Sequence, residues 1–247
     1  MGKKRNKSKN KILEIISLLI AIVIVLTGKN INDKDYTQAN TEITENSSTI
    51  TYSLKDIPEY TSTPYAVLNN NKPEFTEKDY TTKSFENYSE LDSLGRCGVA
   101  FARVSTKTMP AEERGSIGMI KPTGWHTIKY DIVDGKYLYN RCHLIGYQLT
   151  GENANKKNLI TCTRQMNTKG MLEFENEVAD YVKKTNNHVL YRVTPIFEGD
   201  NLLSKGVLME AKSVEDDGEG VKFNVFVYNV QEGISIDYAT GNSELIK

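Results

Sequence analysis

The chain has 247 residues, 38% of them hydrophobic and 26% charged, which suits one well-buried globular domain with appendages and argues against two full domains. Its formal net charge is −1, so the chain as a whole is neither strongly basic nor strongly acidic. Three cysteines, Cys97, Cys142 and Cys162, are too few for a disulfide framework and allow one bridge at most, between a pair that the sequence does not specify.

The first 29 residues are predicted to form a cytoplasmic basic tail and a transmembrane signal anchor. Six lysines and arginines fall within MGKKRNKSKNK, and a nearly unbroken apolar run follows at 12–27. Basic residues before such a run hold the N-terminus in the cytoplasm and direct the rest of the chain outside. Because no A-x-A-like cleavage site follows, we expect a single-pass protein of the cell membrane with an extracellular domain; secretion after cleavage is the alternative.

The segment that follows, residues 30–63, is polar and rich in Asn, Thr and Ser. Such a composition predicts a disordered tether between the membrane and the folded domain, which we assign to residues 64–247.

Hydrophobic patterning in the domain predicts a strand-rich α+β fold with one long helix. Residues 170–186 have apolar side chains at helical spacing, with lysines in the last turn. The other predicted elements, in chain order, are a short helix at 84–94, a strand at 98–104, a hairpin of 125–133 with 136–147, a strand at 158–163, a strand at 188–197, a hairpin within 206–230 and a final strand and turn within 234–247.

Positive charge is concentrated in residues 94–170, which hold 12 Lys/Arg and five Asp/Glu, a local balance of +7. All other residues after 29 sum to −14, from 12 basic and 26 acidic side chains. A basic segment on an otherwise acidic chain favours a polyanionic ligand, because phosphates are held mainly by cationic side chains. The alternative is chance clustering of charges that fold onto separate faces.

A histidine and an asparagine within this basic segment have the chemistry of a hydrolytic site. His143 has an ordinary pKa near 6.5 and can accept a proton from water at neutral pH. Asn167 precedes the predicted helix, where its side-chain oxygen could hold a hard divalent cation. Taken alone, such a histidine is more often a core residue and such an asparagine more often a helix N-cap.

The motifs around His143 resemble those of the DNA/RNA non-specific endonuclease family, in its exported, membrane-tethered branch. That family has a ββα-metal (His-Me finger) core with a D-R-G-H motif, then N-x₈-N and a helical glutamate eight residues later. Here NRCH occupies 140–143, Asn158 and Asn167 are nine residues apart, and Glu175 follows eight residues on. The resemblance covers about residues 89–241.

The resemblance implies a magnesium-dependent enzyme, with Mn²⁺ as an alternative metal, that cleaves DNA and RNA. His143 would be the general base, Asn167 the sole direct protein ligand of the metal, and Glu175 a partner of the water molecules around the metal. Three further residues would support them: Asn158 by positioning the site, Arg141 as a phosphate-facing or structural cation, and Arg164 as a transition-state or substrate-phosphate contact.

Two residues depart from the family motif. Asn140 replaces the usual aspartate and loses its charge, and Cys142 replaces the usual glycine, so the backbone there must avoid positive φ. Neither change removes a proton acceptor or a metal ligand, and we expect activity to survive. A zinc site built from Cys142 and His143 is disfavoured because adjacent strand residues point to opposite faces.

Two other functions compete with catalysis. A surface protein that binds nucleic acid without cleaving it would also explain the basic segment, and a structural surface domain would explain the anchor. The sequence points to DNA and RNA as substrates and to the lipid bilayer as the partner of the N-terminal helix, and it identifies no protein partner.

Overall fold

The structure is a computed structural model that describes residues 54–246. The predicted basic tail, the predicted membrane anchor and residues 30–53 of the predicted tether lie outside this range. Among residues 54–246, no helix combines the length and apolar character needed to cross a bilayer.

The last ten residues assigned to the tether, 54–63, are packed against the domain. A 3₁₀-helix covers Leu54–Asp56, and the Tyr228 hydroxyl donates to the Pro58 carbonyl oxygen at 2.6 Å. Tyr60 packs edge-on against Tyr228, with ring centroids 5.5 Å apart. The folded part of the chain therefore begins before residue 64, because Ile57 and Tyr60 of this polar segment pack against an apolar cluster that contains Tyr228.

In the described part of the chain, six antiparallel strands form the main sheet, in the order β1-β8-β7-β6-β3-β2. Its central strands are rich in β-branched and aromatic residues, which suit a pleated, half-buried surface. The six strands are β1 (Tyr65–Val67), β2 (Phe85–Tyr88), β3 (Ala100–Val104), β6 (Val189–Ile196), β7 (Gly206–Ser213) and β8 (Lys222–Tyr228).

A second, two-stranded sheet leads directly into the long helix. Strand β4 (Tyr139–His143) pairs antiparallel with β5 (Leu159–Thr163), so that His143 lies opposite Leu159. The chain then forms a π-helical segment, Met166–Met171, which continues into the helix α2, Leu172–Thr185. This strand–strand–helix unit is the ββα core. The remaining elements are α1 (Tyr147–Thr150), β9 (Ile234–Ile236), β10 (Ser243–Leu245) and 3₁₀-helices at Asn69–Asn71, Glu77–Asp79 and Lys156–Asn158.

The main core lies between helix α2 and the main sheet. The Phe174 ring on α2 packs 4.8 Å from the Phe223 ring on β8, and β4 and β5 contribute Cys142 and Cys162 to the same core. Each large apolar side chain buried here contributes about 1.5–3 kcal/mol, so the core fixes α2 and the β4–β5 unit relative to the sheet. The buried residues of α2 are Phe174, Val178, Ala179 and Val182.

Most predicted elements are confirmed, including the helix near 170–186, the strands at 98–104, 158–163 and 188–197, and the hairpin of β7 with β8. The fold class, strand-rich α+β with a ββα core, is confirmed as well. The helix predicted at 84–94 is wrong: these residues contain β2, because pairing with β3 outweighs a weak local helical pattern.

The hairpin predicted from 125–133 and 136–147 is also wrong. A single bridge, Lys129 with Tyr137, remains of it. Leu138 still donates to the Ile128 carbonyl, but the Leu138 carbonyl accepts from Arg164, so the chain exchanges partners at this point. Strand β4 then pairs with β5, which is buried along its whole length and offers the larger apolar contact.

The structure pairs Cys142 with Cys162 in a disulfide, with Cα atoms 5.9 Å apart. Cys97 is a free, buried thiol. It donates to the carbonyl oxygens of Lys156 and Leu159 at 3.2 and 3.3 Å, and burial raises its pKa to about 11.

Candidate active site

His143 is the last residue of β4 and is buried, with 6% of its surface exposed. Its Nε2 lies 2.7 Å from the backbone carbonyl oxygen of Asn153. Because a carbonyl oxygen only accepts hydrogen bonds, Nε2 carries the proton and Nδ1 carries the lone pair. Nδ1 accepts a hydrogen bond from the Arg114 guanidinium at 3.3 Å. The ring is thus held in the tautomer that leaves Nδ1 as the basic atom.

The surroundings of His143 favour its neutral form. Burial lowers its pKa below the ordinary 6.5, and the positive charge of Arg114 acts in the same direction, while the hydrogen bond to the Asn153 carbonyl opposes them. A neutral imidazole at pH 7 is the form that accepts a proton, so the electrostatics suit a general base.

Asn158 is completely buried and holds the chain that leaves His143. Its side-chain oxygen accepts from the Ile145 N–H at 2.9 Å, and its amide group donates to the Ile145 carbonyl at 3.0 Å. Its backbone carbonyl also accepts from the Leu144 N–H at 2.9 Å. This geometry is that of a positioning residue, which fixes the end of β4 without facing a ligand.

Asn167 lies in the π-helical segment and not at an N-cap. Such segments are rare and are often found at functional sites. Gly170 brings this turn close to β8, because a Cβ atom at Gly170 would lie 2.3 Å from Cγ1 of Val227. Within residues 54–246 the Asn167 carboxamide has no hydrogen-bond partner, and it lines a cavity of about 470 Å³. This side chain is therefore available to a ligand.

The cavity beside Asn167 is cationic and partly aromatic. Three arginines line it, and no aspartate or glutamate is among its lining residues. An anion is the ligand that such a cavity would stabilise. The lining residues are Arg114, Ile117, Trp125, Thr127, Tyr137, Tyr139, Asn140, Arg141, Arg164 and Asn167.

Two of the three arginines are engaged within the protein. Arg141 donates to the carbonyl oxygens of Gly118 (2.9 Å) and Ile120, and its guanidinium stacks 3.9 Å above the Trp125 ring. These contacts fit the structural role considered for Arg141, although it also lines the cavity and so keeps the phosphate-facing role open. Arg164 forms an ion pair of 3.0 Å with Asp134, which offsets part of its charge.

Arg114 is the arginine that the sequence analysis missed. None of the ion pairs within residues 54–246 includes it, yet its charge lowers the pKa of both His143 and Glu175. It lies in an irregular loop 29 residues before His143. The only sequence feature that could have indicated Arg114 is its place in the basic segment 94–170. Eleven other lysines and arginines lie in the same segment, so this feature does not single it out.

Glu175 lies in the first turn of α2, beside the start of α1. Burial raises its pKa to about 7, against the opposing effects of Arg114 and a hydrogen bond from Gln148. Its carboxylate covers Gly146, where a Cβ atom would come within 2.7 Å of Glu175 Oε2. Arg114 therefore connects this carboxylate electrostatically with the imidazole of His143.

The two departures from the family motif have structural explanations. Cys142 lies in the extended strand β4 with its side chain in the core, so the position does not require glycine. Asn140 lines the cavity, and its buried Nδ2 has no hydrogen-bond partner among the described residues. An unpartnered buried donor is costly, so an acceptor such as a phosphate oxygen would stabilise it.

The donors present fit a hydrated hard cation better than a tightly chelated metal. Within residues 54–246, no three His, Cys, Asp or Glu side chains converge in a way that would hold a metal ion. Asn167 offers one uncommitted carboxamide oxygen, and Glu175 offers a carboxylate eight residues further along the chain, in the first turn of α2. Magnesium suits such a site, because it keeps several of its water molecules and takes few protein ligands.

Comparisons with known proteins agree with this geometry. The sequence model of the family described as DNA/RNA non-specific endonuclease matches residues 76–215. A curated protein named deoxyribonuclease, from Streptococcus dysgalactiae subsp. equisimilis, is 32% identical over 110 residues, which are 42% of this chain and 32% of the relative. The match thus spans about a third of that relative's length.

Solved structures show the same fold over most of the described chain. NucA from Streptococcus agalactiae with no metal bound has a TM-score of 0.68 at 27% identity, covering 78% of this chain and 92% of NucA. NucA with magnesium bound has a TM-score of 0.66 at 28% identity, covering 76% and 89%. Sda1 nuclease with bound zinc has a TM-score of 0.58 at 27% identity, covering 74% and 96%.

Proposed function

Because this chain belongs to the DNA/RNA non-specific endonuclease family, we propose that it is a metal-dependent endonuclease that hydrolyses phosphodiester bonds of DNA and RNA. The observation that carries the proposal is that Arg114 contacts both His143 and the cationic cavity. Its guanidinium donates to the basic nitrogen of His143, and its side chain lines the cavity together with Asn167. Arg114 thereby links the proposed base to a cavity that contains an anion-binding group and an uncommitted oxygen ligand.

In this proposal, the cavity binds a backbone phosphate through its arginines. Arg114 contacts a non-bridging oxygen and leaves Nδ1 of His143 free for a water molecule. Nδ1 removes a proton as the water oxygen bonds to phosphorus and the P–O bond to the leaving oxygen breaks. The Asn153 carbonyl keeps the ring oriented and stabilises the imidazolium through the Nε2 proton.

We propose Asn167 as the direct protein ligand of the metal and Glu175 as the group that accepts hydrogen bonds from its water molecules. A bound divalent cation would stabilise the negative charge that develops on the phosphate and on the leaving oxygen. Support for a divalent cation comes from the magnesium-bound NucA and zinc-bound Sda1 structures. Magnesium is our proposal for this chain, with manganese as the alternative.

We further propose that residues 1–29 anchor the protein in the cell membrane, that residues up to 53 form the tether, and that the nuclease acts outside the cell. The basic tail and the apolar run at 12–27 support this placement. Secretion after cleavage of the anchor is the alternative. Protease accessibility of the domain on intact cells, compared with its presence in the medium, distinguishes the two.

The test of the nuclease is plasmid nicking by the purified protein, by His143→Ala and by His188→Ala as a matched control. His188 directly precedes β6, is hydrogen-bonded to Glu215 and is not among the residues that line the cavity. We expect His143→Ala to lose about 10²–10⁴-fold in rate while His188→Ala cuts like the parent. EDTA should abolish cleavage, and RNA should be cut as well. A parent protein that retards DNA but leaves it intact in Mg²⁺ would instead be a non-catalytic binder.

A further inference from the structure

One aromatic ring of the cavity remains exposed, beside arginine and asparagine side chains that line the same cavity. Tyr137 lines the same cavity as Arg114 and Asn167, and 47% of its surface is exposed. The Lys129 ammonium lies 4.5 Å from its ring centroid and covers one part of the ring. An exposed aromatic ring beside a phosphate-binding group is the arrangement by which proteins hold a nucleobase and its backbone together.

The two other aromatic residues of the cavity are committed to the protein. Trp125 is covered by the Arg141 guanidinium and packs against a buried cluster that includes Leu138. Tyr139 is buried, and its hydroxyl donates to the Gly241 carbonyl at 2.9 Å. Tyr137 is therefore the ring of this cavity with surface to offer a ligand.

The backbone holds Tyr137 in place. It forms the bridge with Lys129, and the next residue, Leu138, is fully buried and donates to the Ile128 carbonyl at 3.0 Å. A side chain with two rotatable bonds on a fixed backbone loses little conformational freedom when a base packs on it. The ring is thus preorganised as a stacking surface.

We propose that Tyr137 stacks on a nucleobase next to the scissile phosphate, and that this contact makes single-stranded nucleic acid the preferred substrate. The inference rests on the proposed nuclease function. In a duplex both faces of a base are already covered by its neighbours, so stacking on Tyr137 requires the base to leave the helix. In a single strand the base is free, and the ring adds binding that the duplex does not gain. Lys129, behind the ring, would face an adjacent phosphate.

The first experiment measures binding without cleavage. The full chain is titrated in EDTA with a single-stranded oligonucleotide that carries 2-aminopurine, whose fluorescence is quenched on stacking, and with the same sequence as a duplex. We expect Tyr137→Ala to weaken single-strand binding by about 5- to 150-fold and to remove the quenching, with little change for the duplex. Tyr137→Phe should retain both properties, because the ring and not the hydroxyl stacks.

The matched control is Ile132→Ala, an exposed apolar side chain of the same loop, 57% exposed, that is not among the residues lining the cavity. It should bind both oligonucleotides like the parent. Equal affinity and quenching for Tyr137→Ala and the parent would overturn the proposal, and so would an equal loss on single strand and duplex.

The second experiment compares kcat/KM on the two oligonucleotides in Mg²⁺. We expect the parent to favour the single strand and Tyr137→Ala to lose that preference. If the parent cleaves neither substrate, the proposed nuclease function fails, and the binding titration still decides whether Tyr137 stacks on a base.

Discussion

Glu175→Gln should stabilise the metal-free protein at alkaline pH while reducing nuclease activity. The pKa of Glu175 rises from 4.5 to about 7 in the folded protein, chiefly through burial. Since each pKa unit corresponds to about 1.4 kcal/mol, ionising this group costs the fold on the order of 3 kcal/mol. Glutamine is neutral at every pH, so it avoids this cost.

The sign of the pH dependence follows from the two pKa values. Between pH 4.5 and about 7 the folded state holds a proton that the unfolded state has released, so stability falls as pH rises through this window. Below it both states are protonated and the substitution has no electrostatic effect. Glu175→Gln should therefore gain up to about 3 kcal/mol at pH 8 and almost nothing at pH 4.

The measurement is urea unfolding in EDTA at both pH values, with Asp180→Asn, an exposed carboxylate of the same helix, as the control. The free energy of unfolding of Asp180→Asn should differ little from that of the parent at either pH. No gain for Glu175→Gln at pH 8, or an equal gain at pH 4, would refute the burial argument. A variant that is more stable and still fully active would refute the proposed role of the carboxylate in holding the water molecules of the metal.

Arg114→Ala should lower kcat/KM about 100-fold and move the acid limb of the pH–rate profile to higher pH, because Arg114 lowers the pKa of both His143 and Glu175; an unmoved limb would contradict the electrostatic link. Gly146→Ala should displace the Glu175 carboxylate and reduce activity with little loss of stability, whereas Gly118→Ala, where a Cβ atom has its nearest contact at 3.7 Å, should be neutral in the same assays. Replacing Cys142 and Cys162 by alanine should lower the free energy of unfolding by about 3 kcal/mol in denaturant titrations, because the bridge closes a loop with a sequence separation of 20. Reducing the disulfide of the parent protein should lower its free energy of unfolding by the same amount. An unchanged free energy of unfolding after reduction would contradict a role of the bond itself.

The sequence predicted those elements whose pattern is local. Helix α2 was found because its apolar residues recur at helical spacing, and β6 because its residues from Tyr191 to Ile196 alternate between buried and partly exposed positions. The pairing of β4 with β5 was missed because the two strands are separated by a loop and α1. No local pattern shows that β4 pairs with β5 and not with the preceding segment, 125–133. The short strand β2 has only four residues, too few for its period to be read.

In the candidate site too, residues within a local motif were predicted and features that depend on distant contacts were not. His143, Asn158, Asn167 and Glu175 were predicted because the motif fixes their spacing, and the structure places Asn158 behind His143 and Asn167 on the cavity. The motif does not specify the π-helical turn that carries Asn167. That turn depends on the close approach of Gly170 to Val227 on β8, a contact across 57 residues of chain.

Arg114 reduces a conflict between the requirements of His143 and those of Glu175. Burial alone would favour a neutral His143, as a base requires, but would also favour a neutral Glu175, as a partner of metal-bound water does not. A nearby positive charge lowers both pKa values, so it reinforces the neutral imidazole and opposes the protonation of the carboxylate. A negative charge at the same place would reverse both effects. One arginine on an irregular loop thus moves both groups toward the protonation states that the proposed hydrolysis requires, and phosphate binding would involve the same guanidinium.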